Sequence, residues 1–363
     1  MTAPILGKTF TQQAVFLPDW RAANPYQALM AKALGDQGVE VDFHEMPRGF
    51  FALNRLPSPV LAKKIIHLHW INDLIGHAVW PQNRALRWAK LVCLGLDILL
   101  LRLRGHLVVW TVHNLVSHES QNVEAELAAR RMVARSCSRM VLHSESARRT
   151  VEGRFGMRFG NKAVVIPHGN YDGCYASDAA ALAALKARLV HDPSRINLLF
   201  FGAVRRYKGV LPLIQAFSAT DNPSLRLTIA GNPNEAELRD TIVAAGTADP
   251  RISLVLEFVP DEAVSSYFAL ADAVIIPFER TLTSGSAVLA LTMGKATLLP
   301  QEAWIFDLGD DQSSLFFSGI DDLKRLLANL DKQDLARRGI HARVLADALA
   351  WSGIAKSLKR VYS

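Results

Sequence analysis

The stretch WTVHNLVSHES, Trp110 to Ser120, ends an apolar run with two histidines and a glutamate. Such residues hold a metal, move a proton, or open a helix. A zinc site from His113, His118 and Glu119 is poorly served by a spacing of five and one, which matches neither HExxH nor HxH. A neutral imidazole at a strand end donates or accepts a hydrogen bond and can shift a proton near pH 7. Ser117 as a cap, with Glu119 and Ser120 in a first turn, reads equally well as a helix entrance. Glu119 therefore stands between two roles, base and cap.

Two further groups carry chemistry of another kind. Arg205, Arg206 and Lys208 follow an apolar run directly and lie beside Gly209, where a helix begins. Thr283, Ser284, Gly285 and Ser286 precede a second apolar helix, whose unpaired N–H groups and positive end make an anion site. Gly285 lets the backbone approach a ligand closely. Capping by Ser284 would explain one hydroxyl, but not four small residues in a row.

The elements that must position these residues follow from periodicity. Short apolar runs at 14–19, 39–45, 63–70, 106–113, 139–144 and 162–169 read as strands, with helices over 24–38 and roughly 119–136. The pattern breaks between Gly169 and Pro193. It restarts with strands at 196–202, 224–231, 251–258, 271–278 and 295–300, separated by helical segments. Strands alternating with helices imply parallel sheets with right-handed crossovers. In such sheets ligands collect beyond the carboxyl ends of the strands. The loops ending at Asp19, Trp70, His113, Ser144, Gly202, Gly231, Phe258 and Ser284 are thus the ones to read. His67 and His69 alternate onto one face, one expected to pack and the other to border a cleft.

At 363 residues, half of them hydrophobic, the chain suits two domains. The expected division is 1–172 and 173–345, leaving 346–363 as a C-terminal helix with the option of crossing back. Cys93, Cys137 and Cys174 form no CxxC pair, which argues against a disulfide framework and fits a cytoplasmic setting. The start, MTAPILGKTFTQQ, lacks the pattern of a signal peptide. A net charge of +7 invites anionic partners. No aromatic and basic stripe points to nucleic acid. Residues 84–104 carry five basic residues around an apolar run interrupted by Asp97, too short to span a membrane. That segment is expected to lie on an anionic membrane surface, with Trp80 and Trp88 at headgroup level. A core helix with snorkelling arginines is the alternative.

FGAVRRYKGVLPLIQAF, LTIAGNPN, LADAVIIPF and TSGSAVLALTMGKATLLP occur in this order, after HLHW, WTVHN and VIPHGNYD. Together they resemble GT-B-fold glycosyltransferases of the glycogen-synthase-like group, in a bacterial exopolysaccharide form with a TSGSA donor loop. The resemblance implies an α/β protein of two Rossmann-like, doubly wound parallel-sheet domains facing across a cleft. It implies transfer from a nucleoside-diphosphate sugar, UDP-linked before GDP-linked, with UDP-glucuronate or UDP-glucose as candidates, to a lipid-linked saccharide. No cofactor beyond that donor is implied. No DxD-like pair stands at a strand end, so no metal is implied either; cations and N–H groups would stabilise the diphosphate.

By resemblance Lys208 meets the diphosphate, in a site shared with Gly202, Arg205, Arg206 and the loop Thr283–Ser286. His113 matches a histidine that faces the donor sugar. The family's arginine position holds Ala203, so Arg205 or Arg206 would substitute. Its two glutamate positions hold Thr281 and Leu289; Glu279 is the nearest carboxylate. An inverting displacement would need a carboxylate base, for which Asp19 and Glu119 are candidates. A sugar-nucleotide-binding scaffold that has lost catalysis is the alternative function.

Overall fold

A computed structural model describes residues 10–79, 83–117, 120, 122–189, 191–278, 282–301 and 309–363. The chain divides into two units. One takes the chain up to Gly169 together with Trp351–Ser363, and the other is Asn170–Ala350. The sequence-based division at 172 and 345 thus falls three residues late and five early.

The first unit is a six-stranded parallel sheet. Its strands are β1 (Gln12–Leu17), β2 (Val39–Phe43), β3 (Ile65–Leu68), β4 (Leu107–Thr111), β5 (Arg139–Leu142) and β6 (Ala163–Val165), in the order β2-β1-β3-β4-β5-β6. The order reverses between β1 and β3. Runs such as Ala14–Leu17 are apolar at every position because helices cover both faces. Ile354, Ala355, Leu358, Val361 and Tyr362 line one stripe of the last helix, Trp351–Tyr362, and join the core formed by Phe16, Tyr26, Leu34 and Ile166. Burial of Ile354, Leu358 and Val361 stabilises the unit by roughly 1.5 to 3 kcal/mol each. Leu358→Ala would cost about 2 to 5 kcal/mol. The ring of Trp351 lies where a Cβ on Gly169 would stand, 2.2 Å from its nearest atom.

The helix Arg84–Leu103 explains the basic segment. Asn83 caps it, accepting from the N–H groups of Ala85 and Leu86. Leu91, Leu94, Ile98 and Leu101 face inward, and Asp97 is buried with them. Asp97 accepts from the N–H groups of Leu53 (2.9 Å) and Asn54 (3.0 Å), so the charge that breaks the apolar run clamps the helix to a neighbouring turn. Trp88, Val92, Leu96, Leu99 and Leu103 stay exposed. Among the described residues no helix is long and apolar enough to cross a membrane. Trp80 lies outside the described residues.

The second unit is another six-stranded parallel sheet: β7 (Ile196–Phe201), β8 (Leu225–Ala230), β9 (Ile252–Val255), β10 (Ala273–Ile275), β11 (Ala296–Pro300) and β12 (Ser314–Phe317). The order is β12-β11-β10-β7-β8-β9, reversing between β7 and β10. Sequence periodicity missed β12, whose four residues SLFF are too few for a pattern.

Candidate active site

Ligands of doubly wound sheets bind where the strand order reverses, because the flanking loops part there. In the second unit those are the loops after β7 and β10. Gly202 leaves β7 at φ +121°, which a side chain would strain, and a Cβ on it would stand 3.2 Å from Ser286 Oγ and 3.7 Å from Lys208 Nζ. The short turn Arg206–Lys208 then carries the chain into the helix Val210–Ser218 through Gly209, at φ +69°. A Cβ there would meet the Pro277 carbonyl oxygen at 2.4 Å, so only glycine lets the two loops touch. Both glycines serve to gather Lys208 and Ser286 at one point.

Lys208 is half-buried, with its ammonium 4.9 Å from the Phe278 ring centroid. Crowding by protein atoms, and then the charge of Arg205, push its pKa down to about 8. Among the described residues it makes no ion pair, so an anion would satisfy it. The helix Gly285–Thr292 begins beside it. Ser284 caps the helix by accepting from the Ala287 N–H at 3.2 Å, while the N–H groups of Gly285 and Ser286 have no acceptor within the helix. Buried Tyr171 closes over Gly285, its hydroxyl 2.8 Å from where a Cβ would be.

The two arginines differ. Arg205 donates to the carbonyls of Val204 (2.8 Å) and Asn232 (3.2 Å), which keeps it beside Lys208. Arg206 turns outward to Glu235 (2.8 Å) and Glu237 (3.0 Å). Thr283 is half-buried on the same loop. Glu279 and Thr281 lie outside the described residues. Leu289 is buried in its helix and offers no acceptor.

In the first unit the loops after β1 and β3 flank the reversal. Trp20, from the β1 loop, stacks on Trp70, from the β3 loop, at 4.8 Å and 15°. Trp70 in turn stacks on His113 at 4.3 Å and 13°. His113 is buried, and desolvation pushes its pKa well below the usual value. It is neutral at neutral pH. His69 Nδ1 lies 3.2 Å from His113 Nε2. His67 and His69 are both fully buried and stack at 4.3 Å, so neither borders open space as alternation had suggested. His67 holds Tyr362 Oη and Thr111 Oγ1, at 2.6 and 2.7 Å.

His143 and His168, which sequence reasoning passed over, complete the cluster after β5 and β6. Burial lowers them to about 4 and about 3. The signal was present: HLHW, WTVH, VLHS and IPHG each end a strand on histidine. Among the described residues no group of His, Cys, Asp or Glu has a metal-binding arrangement.

Asp19 sits on the β1 loop, where Arg21 grips both its oxygens at 2.9 and 2.8 Å. That hydrogen bonding lowers its pKa and so weakens it as a base. His118 and Glu119 lie outside the described residues. The expected helix start at Ser117 is corrected: the helix is Val123–Ser136, capped by Asn122. Ser117 belongs to the loop, and its N–H donates to buried Glu126. Arg130, paired with Glu126 at 2.7 Å, also reaches the Asn114 carbonyl and Asn72, fixing the chain just after His113. A glutamate and an arginine four apart, facing the core, were the sequence signal that was missed.

Residues 195–313 match the family model described as glycosyl transferases group 1. A GDP-mannose:glycolipid 4-beta-D-mannosyltransferase from Xanthomonas campestris pv. campestris is 27% identical over 348 residues, covering 91% of this chain and 90% of that protein. Among solved structures, a sucrose-phosphate synthase from Thermosynechococcus elongatus superposes with a TM-score of 0.72 at 17% identity, over 97% of this chain and 98% of that one. Anabaena HepE, in complex with UDP and glucose, gives 0.70 at 16% identity, over 97% and 99%. Residues 195–313 thus match glycosyl transferases group 1, in a chain with the GT-B fold.

Proposed function

We propose that this glycosyltransferase moves a sugar from a nucleoside-diphosphate donor to a glycolipid acceptor at a membrane surface, without a metal, in exopolysaccharide assembly. One observation carries the donor half. A half-buried lysine with no acidic partner among the described residues, a helix start whose first N–H groups have no acceptor within the helix, and a close-approach glycine converge at the reversal point of one sheet. A diphosphate supplies the counter-charge that Lys208 lacks among the described residues, and Gly202, Ser284 and Ser286 leave room for it. Arg205 supports the same charge, whereas Arg206 is occupied by its glutamates.

The acceptor half draws on the Xanthomonas relative, whose name specifies a glycolipid and which aligns over nine-tenths of the chain. Its donor, GDP-mannose, becomes the first to test, ahead of the UDP-sugars favoured by sequence alone. The exposed face of the helix Arg84–Leu103, flanked by Arg87, Lys90 and Arg104, supports peripheral attachment to the inner face of the cell membrane. His113 meets the transferred sugar in this reading. A non-catalytic scaffold remains a second reading because Leu289 stands where a carboxylate is usual.

The test is a panel of GDP- and UDP-sugars, assayed with a glycolipid acceptor in EDTA and followed by NMR at the anomeric carbon. Turnover of one donor with a defined anomeric product is expected. Nucleotide binding without turnover of any donor would select the scaffold, and turnover restored only by manganese or magnesium would remove the metal-free claim.

A further inference from the structure

His69 and His113 share one hydrogen bond, His69 Nδ1 to His113 Nε2 at 3.2 Å, and both rings are buried. Burial pushes both pKa values well below the usual one, so each ring carries a single proton at neutral pH. Two arrangements satisfy the bond. If His113 donated from Nε2, His69 would accept on Nδ1 and carry its own proton on Nε2. That atom is sealed from solvent and has no partner. A buried N–H left unpaired costs about 1 to 3 kcal/mol. If His69 donates from Nδ1 instead, the orphaned Nε2 is only a bare lone pair, the cheaper defect. His113 Nε2 then accepts, and its proton resides on Nδ1. That nitrogen has no hydrogen-bond partner among the described residues and is not among the atoms sealed from solvent.

We infer that His69 is a positioning residue that fixes His113 as a hydrogen-bond donor through Nδ1–H, directed at a substrate oxygen, and that His113 is not the base of the reaction. With Nε2 occupied by His69 and Nδ1 already protonated, the ring has no lone pair to offer. The oxygen it serves belongs to a sugar hydroxyl, a carboxylate or a phosphate, and the deprotonation of the acceptor falls to another group. Trp70, stacked flat on His113, and Tyr26, edge-on at 5.2 Å, prevent the ring from flipping to present the other nitrogen. This deepens the proposed function, in that the substrate oxygen rests on that reading, while the tautomer does not.

The experiment is two-bond ¹H–¹⁵N NMR of the ¹⁵N-histidine-labelled full chain near pH 7.5. It uses wild type, His69→Asn, which keeps an amide donor near the Nδ1 position, and His69→Leu, which removes it. Wild type and His69→Asn should show His113 protonated on Nδ1, and His69→Leu should release that proton to Nε2. In the same samples kcat should fall about tenfold or more in His69→Leu and be largely rescued in His69→Asn, with nucleotide Kd unchanged in both. A wild-type His113 protonated on Nε2 overturns the inference, even where His69→Leu fails to fold. An Nδ1 tautomer in wild type with wild-type turnover in His69→Leu overturns the positioning role. Absence of turnover by wild type with every donor sinks the proposed function and leaves the tautomer result standing.

Discussion

At the reversal point of the first sheet, the loops after β1 and β3 bring Trp20 onto Trp70 and Trp70 onto His113. At that of the second, the loops after β7 and β10 gather Gly202, Lys208 and Ser286. The scaffolds match, six parallel strands each with one reversal, yet their contents are opposite. Aromatic rings and neutral imidazoles fill one, and a cation among small residues beside a helix start fills the other. A fold therefore says where to look, and the loop residues say what is bound. The first crevice suits oxygens that need directed donors and flat surfaces, and the second suits negative charge.

The largest contrast should appear on acidification. His67, His143 and His168 are pushed by burial to about 3, about 4 and about 3. The unfolded chain takes up a proton at each below about 6.5 while the folded chain does not, so stability falls as pH drops from there towards the folded values. Each histidine costs up to about 1.4 kcal/mol per pH unit, and three together about a thousandfold in the folding equilibrium. Thermal melts between pH 7 and 4.5 should show the first unit failing before the second. Simultaneous melting of both units with no pH dependence in that window would remove the neutral cluster from the account.

The second unit should respond at the other end of the scale. Lys208 ordinarily titrates above 10 and is lowered to about 8 by burial, so without ligand it loses its charge as pH rises past that value. A diphosphate needs the charged form. Nucleotide affinity should therefore fall by up to about tenfold per pH unit above 8 in wild type. In Lys208→Gln it should stay flat. Parallel slopes for the two proteins would mean that some other group binds the anion.

The smallest effect concerns the helix Arg84–Leu103, which belongs to the first unit. Binding to anionic phospholipid vesicles should weaken about fivefold for each of Arg87→Gln and Lys90→Gln, since each basic residue near such a surface contributes about 1 kcal/mol. Trp88→Ser with Leu103→Ser should weaken it at any salt concentration. Vesicle binding by these variants equal to wild type would return the helix to a purely structural role.

What the sequence made legible follows the same division. The gathering of Lys208 with the Ser286 loop was readable because its parts are local: RRYKG and TSGSA each hold their polar residues within five positions. The histidine cluster was only half readable. Strand ends predicted where His113 would stand, but its contact with His69, 44 residues away in sequence, arises from the register of β3 beside β4. The missed helix start at Asn122 has a similar cause. Ser117 resembles a cap in sequence, but buried Glu126 takes its N–H into the loop instead. The two sheets were readable almost whole, because buried parallel strands announce themselves as apolar runs; of the described strands only short β12 escaped.

Nucleotide Kd and kcat measured side by side in Lys208→Ala and His113→Ala test the division of labour most directly. Lys208→Ala should bind the free nucleoside diphosphate about 10- to 150-fold more weakly, the worth of a charge-assisted hydrogen bond of roughly 1.5 to 3 kcal/mol. His113→Ala should bind it as wild type does, because the free nucleotide lacks the sugar that the imidazole is proposed to serve, and should lose turnover by about tenfold or more. Equal loss of nucleotide affinity in both variants, or wild-type affinity in Lys208→Ala, would contradict the account.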